Sequence, residues 1–197
     1  MQASDPNACG REMSRARVLS PAELRHLLAH IAQHRHALRN ATQVLLTYWA
    51  GLRVGEVAGL RYSDVVDYDR NRVRPEVDIA QGPRPARAVL LSARMRRQLA
   101  NYVNANPPAT PGQPLFYTQK RSGWTANTLA QHFLHLYRAA GLEGASSQSG
   151  RRTFVTVLAQ RGINTGLIQA LAGHRRVAAT VAAIDARNPL REALERL

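Results

Sequence analysis

At 197 residues and 45% apolar content, the chain is long enough for one globular domain or two small ones and apolar enough to bury a core. Its 27 basic against 13 acidic residues leave a formal charge of +14, which fits a polyanionic partner, nucleic acid first; the alternative is an arginine-rich composition with no partner behind it, since Lys120 is the single lysine. No apolar run of about 18 residues and no basic-apolar leader appears, and Cys9 stands alone, so a membrane span and an internal disulfide are excluded and a cytoplasmic protein is expected.

Residues 1–17 are polar, carry Pro6 and Gly10 and show no periodicity, which predicts a flexible arm ahead of a single domain over 18–197. Ser20-Pro21-Ala22-Glu23 supplies an N-cap, a proline at the first helical position and a capping-box glutamate, followed by Leu24, Leu27, Leu28 and Ile31. His26, His30 and His34 recur every four residues on that helix, but no Cys or carboxylate cluster completes a ligand set, so no metal is expected. A second helical pattern, Asn40 to Leu60, reaches Gly51-Leu52-Arg53-Val54-Gly55-Glu56 and is followed by Asp64. Arg53, just beyond a glycine, can reach a phosphate while Glu56 one turn on fixes its orientation. The alternative is a surface ion pair of about 0.3–0.5 kcal/mol.

Tyr68 to Ser92 reads as strands: Val73, Val77 and Ile79, a break at Gly82-Pro83-Arg84-Pro85, then Ala88 to Leu91. Arg94 to Asn104 returns to helix, with Met95, Leu99 and Val103 on one face and Arg94, Arg96 and Arg97 open to solvent or phosphate. After a loop over Asn106 to Pro114, Gly123-Trp124-Thr125 leads into a helix whose core stripe is Leu129, Phe133, Leu136 and Tyr137. In Gln148-Ser149-Gly150-Arg151-Arg152-Thr153-Phe154 the arginines precede the apolar positions Phe154, Val155, Leu158 and Ala159, which predicts Arg151 near a helix N-terminus, the end that favours anions. The next helix opens near Asn164 and ends at Gly173, which turns the chain and delivers His174 back to the same end. One arginine and one histidine would then face one anion. Beyond His174 come Arg175 and Arg176, and Pro189 opens a last helical pattern with Leu190, Leu194 and Leu197.

These two clusters resemble the signatures of the tyrosine recombinase (phage integrase) family: Gly-Leu-Arg-x-x-Glu, then His-x-x-Arg-His-Thr-Phe, then Leu-Gly-His with a nucleophilic Tyr nine residues later. The resemblance covers roughly Leu19 to Leu190 and implies a catalytic domain alone, mainly α with a small antiparallel β-sheet, without the family's usual N-terminal core-binding domain of about 100 residues. It carries the catalytic positions onto Arg53, Arg151 and His174, and the acidic positions that support them onto Glu56 and Asp64. Gln148 stands at the first His position, Gln81 at the Lys position and Ala183 at the Tyr position; no Tyr follows Tyr137. Losing the nucleophile removes the covalent intermediate, and three coincident losses argue against an active strand-transfer enzyme.

The resemblance implies double-stranded DNA as partner, no cofactor, and a tail able to pack on a second copy or on a partner recombinase. Arg84, Arg87, Arg94, Arg97, Arg152, Arg175 and Arg176 are the expected DNA contacts. Three readings follow: an inactive DNA-binding protein that acts in or regulates recombination of a mobile element, a subunit that uses a Tyr supplied in trans, or a remnant without a selected role.

Overall fold

Helix α1 (Pro21–Ala32) starts as the capping box dictates: Ser20 Oγ accepts from the Glu23 amide at 3.2 Å, and Glu23 Oε2 accepts from the Ser20 amide at 2.8 Å. The computed structural model describes residues 16–81, 84–118 and 122–183, and within them the side chains outside 80–86 and 182–183. Of the expected arm, residues 1–15 lie outside this description. Its last two residues are fixed: Ala16 offers its carbonyl to Arg152 at 2.6 Å, while Arg17 donates to the Glu143 carbonyl and pairs with Glu23.

The helical pattern expected from Asn40 to Leu60 divides into α2 (Ala37–Trp49) and α3 (Val54–Gly59). The break has a local cause. Gly51 takes φ +64°, and a Cβ there would overlap the Phe154 ring, so the chain turns where only glycine fits. A single turn, α4 (Tyr62–Val65), then leads into β1 (Val66–Asp67), β2 (Arg72–Val73), β3 (Glu76–Gln81) and β4 (Arg84–Leu90). The strands form two antiparallel hairpins, β1 with β2 and β3 with β4. Arg84 and Pro85, expected in the break, belong to β4, with Gln81 opposite Arg84 after an irregularity in register.

The remaining helices are α5 (Ala93–Ala105), α6 (Ala126–Ala139), α7 (Ser149–Gln160), α8 (Thr165–Ala172) and α9 (Val177–Ala183). The main core gathers Leu27, Leu46, Leu99, Phe116, Phe133 and Tyr137, all fully buried, each aliphatic or Phe side chain contributing roughly 1.5–3 kcal/mol. Val155, Ala159, Ile168 and Ala172 form a smaller cluster joining α7 to α8, with Phe154 packed against it. The tail pattern from Pro189 lies outside the described residues. Among those described, no helix is long and apolar enough to cross a membrane.

Candidate anion cradle at the end of helix α8

The last carbonyls of a helix have no intrahelical donors and sit at the negative end of its dipole. At the end of α8 three consecutive carbonyls are met by three arginines from three other elements. Arg87 of β4 donates to Leu171 O at 3.0 Å, Arg151 of α7 to Ala172 O, and Arg53 at the start of α3 to Gly173 O at 2.6 Å. Arg151 also donates to the Gly51 carbonyl, tying the α2–α3 turn to the same point.

One carboxylate serves this group. Glu56, whose side chain is 7% exposed, accepts from the Arg53 amide at 2.7 Å and the Arg53 guanidinium at 2.6 Å, and from both Arg87 Nη2 at 2.8 Å and Arg87 Nε at 3.2 Å. Burial pushes its pKa up, but the hydrogen bonds from Arg87 and Arg53 and their charges outweigh burial and hold it below the ordinary value. Among the described residues, three guanidiniums against one carboxylate leave a formal excess of two positive charges.

That excess acts on its neighbours. Burial, with Arg53 and Arg87 close by, pushes Arg151 down to about 9. Burial, then the charges of Arg151, Arg53 and Arg87, push His174 down to about 4, so its ring is neutral at neutral pH. His174 follows Gly173, which turns at φ +63°, and its Nδ1 lies 2.9 Å from the hydroxyl of Thr180, a fully buried residue of α9. A half-buried neutral imidazole beside two or three guanidiniums can donate to an anion without adding a further charge.

Two glycines make this convergence possible. A Cβ on Gly150 would overlap Thr47 Oγ1, so α7 lies directly on α2 and brings Arg151 to Gly51. A Cβ on Gly173 would overlap the Arg87 side chain.

The other expected site residues are placed differently from the sequence reading. Arg87, expected to approach DNA, is turned inward, its side chain 10% exposed and paired with Glu56. β4 alternates, and Arg87 shares its inward face with buried Val89, the period-two signal from which its direction was readable. Asp64 does not touch Arg53: its Oδ2 accepts from the Arg61 amide at 2.8 Å and caps α4. Arg152 donates to the Ala16 carbonyl at 2.6 Å.

Gln148 is exposed at the N-cap position of α7 without a side-chain capping bond. Gln81 ends β3, Arg84 begins β4 and Ala183 ends α9; their side chains lie outside the described residues. Arg94 stands 4.0 Å above the Trp49 ring, while Arg97, Arg175 and Arg176 are exposed. His26 is bonded to Ala140 O and His34 to His30 O, and among the described residues no group of three His, Cys, Asp or Glu could hold a metal.

Fold and cradle together define a mainly helical, arginine-rich domain in which three arginines and His174 meet where α3, β4, α7 and α8 converge. A profile of the Phage integrase family matches residues 17–186, and the chain belongs to that family of tyrosine recombinases. It is 32% identical over 146 residues to Tyrosine recombinase XerC of Methylobacterium nodulans, covering 72% of this chain and 44% of that protein. It is 31% identical over 144 residues to Tyrosine recombinase XerD of Neisseria meningitidis serogroup A, covering 71% of this chain and 47% of that protein. The chain thus spans less than half the length of these relatives. Among solved structures, the XerA recombinase superposes with a TM-score of 0.74 at 25% identity, over 91% of this chain and 64% of that one. The XerH site-specific recombinase bound to a palindromic difH substrate superposes with a TM-score of 0.69 at 23% identity, over 90% and 51%, a likeness of fold.

Proposed function

We propose that this chain is a DNA-binding integrase-family domain, spanning residues 18–197, in which Arg53, Arg151 and His174 hold a backbone phosphate of double-stranded DNA without cleaving it. It acts in, or regulates, site-specific recombination or integration of a mobile element. The observation that carries this reading is the cradle itself: three arginines against one carboxylate, an excess of positive charge next to a neutral histidine. A guanidinium carries five N–H donors, so Arg53 and Arg151 retain donors beyond those given to α8. Glu56 supports Arg53 directly. The residues that would move protons and form the covalent bond are replaced by Gln81, Gln148 and Ala183.

The test is a salt titration of duplex DNA binding. Affinity should fall with a log-log slope of about −0.9 per phosphate neutralised, and Arg53→Ala and Arg151→Ala should each weaken binding. On a nicked duplex the isolated chain should form no denaturant-resistant adduct. Wild-type affinity in both variants would empty the cradle of its role, and an adduct mapping to any Tyr of the chain would overturn inactivity.

The same intact cradle without its nucleophile fits a second reading, a subunit that accepts a Tyr in trans. Mixing the chain with a full-length recombinase would then produce an adduct on the partner's Tyr that Arg151→Ala abolishes.

A further inference from the structure

The cradle leaves unused a second concentration of arginine, along α5. Between α5 and the β1–β2 hairpin runs a groove of about 440 Å³. Its lining combines apolar surface, the buried Val73 and the partly buried Ala100 and Val103, with the arginines Arg72, Arg96 and Arg97. α5 contains no acidic residue over Ala93–Ala105. The nearby carboxylate, Asp67, is already shared between Arg70 at 3.5 Å and Arg72 at 3.9 Å, and its ion pairs do not extend to Arg96 or Arg97. Arg96 adds an independent sign of a missing partner: its Nε–H is closed off from solvent and has no hydrogen-bond acceptor among the described residues. A shielded N–H of a charged group without an acceptor is costly, and a carboxylate bound to the same guanidinium supplies the counter-charge.

We propose that this groove docks an acidic, partly apolar segment of a partner protein, Asp or Glu carboxylates bonding Arg96, Arg97 and Arg72 while interleaved apolar side chains cover Val73, Ala100 and Val103. Charge complementarity selects an anion, and the apolar strip selects among anions. A phosphodiester backbone would satisfy the arginines but has nothing to lay against the valines, whereas a chain of alternating acidic and apolar residues satisfies both. This assignment is independent of the cradle, with which the groove shares no residue.

The test pans random dodecapeptides on the full chain in the presence of excess short duplex DNA, then titrates the recovered sequences as synthetic peptides. Recovered peptides should carry at least two carboxylates with apolar residues between them. The Arg72→Gln/Arg96→Gln double variant should bind them about tenfold or more weakly, the loss of charge-assisted hydrogen bonds, with an unchanged thermal midpoint and unchanged duplex affinity. Recovery of peptides without acidic residues, or equal binding to the double variant, overturns the proposal. Displacement of the peptides by duplex, with the double variant weakened toward duplex as well, assigns the groove to phosphate and also overturns it. So does a dimer in sedimentation that the double variant alone abolishes, because the occupant is then a second copy.

Discussion

Glu56 is the residue on which the charge balance of the site turns, since among the described residues it alone offsets Arg53 and Arg87 at hydrogen-bond distance. Glu56→Gln leaves those guanidiniums close together and uncompensated, and breaking a buried pair from one side costs about 3–5 kcal/mol. Urea unfolding should therefore shift to markedly lower concentration, and added sulfate should restore more of the lost stability in the variant than it adds to the wild type. An unchanged midpoint would mean that the arginines find other acceptors. A second consequence at this scale concerns pH. Burial, aided by Arg39, His135 and His36, pushes His132 down to about 4, as the cradle does to His174. Both lie below the ordinary 6.5 in the fold, so between about pH 6.5 and pH 4 the unfolded chain binds more protons. Stability should be constant above pH 6.5 as far as these groups act, and fall as the pH drops toward 4. His132→Gln should flatten part of that fall, and bound duplex should raise the His174 pKa, readable from its ring resonances. A His174 resonance that titrates identically with and without duplex would place the phosphate elsewhere. At this scale the motif positions Arg53, Glu56, Arg151 and His174 were legible because residue type and spacing carried them. The inward Arg87 was hidden by its charge, which suggests a surface residue unless the alternation with Val89 is weighed first.

Among the elements, α2 and α7 are the most extensively packed helix pair, and Gly150 is the reason they approach so closely. Gly150→Ala must displace Thr47 Oγ1, and the Tyr48 amide stands behind it at 3.2 Å, so overpacking should cost about 1–3 kcal/mol. Arg151 is the next residue, so duplex binding should weaken with stability. Adding Thr47→Ala removes the atom in the way. The double variant should recover part of both losses, a coupling that separate single effects would not show. Equal losses in Gly150→Ala with and without Thr47→Ala would locate the strain elsewhere. The start of α1 was readable from capping chemistry, Ser20 with Glu23, because those bonds are local. The division of α2 from α3 was not, since Gly51 is forced into its turn by a ring more than one hundred residues further on. The same holds for α9, whose alanine-rich sequence announces little, although its Thr180 seats the His174 ring.

For the whole molecule the question is whether the cradle, with Gln81, Gln148 and Ala183 at the positions proposed for the reactive groups, still has the geometry to use such groups. The variant carrying Gln81→Lys, Gln148→His and Ala183→Tyr tests it. Position 183 follows Thr180 by three residues on α9, close to one helical turn, and Thr180 is bonded to His174. A Tyr placed there therefore starts from the turn of α9 adjoining the cradle. If Arg53 and Arg151 hold the phosphate as proposed, positioning the hydroxyl near attack distance supplies several kcal/mol of the barrier, up to about 7–11 in ideal geometry. A denaturant-resistant adduct on nicked duplex is then expected from the triple variant, and less from Ala183→Tyr alone, because the leaving oxygen would still lack its acid. The arginines themselves now bond the carbonyls of Leu171, Ala172 and Gly173, so the phosphate must engage their remaining donors or compete with the end of α8. A triple variant that folds and binds duplex with wild-type affinity yet forms no adduct would show that the end of α8 keeps the guanidiniums out of line for attack, which leaves binding as the whole of what the cradle does.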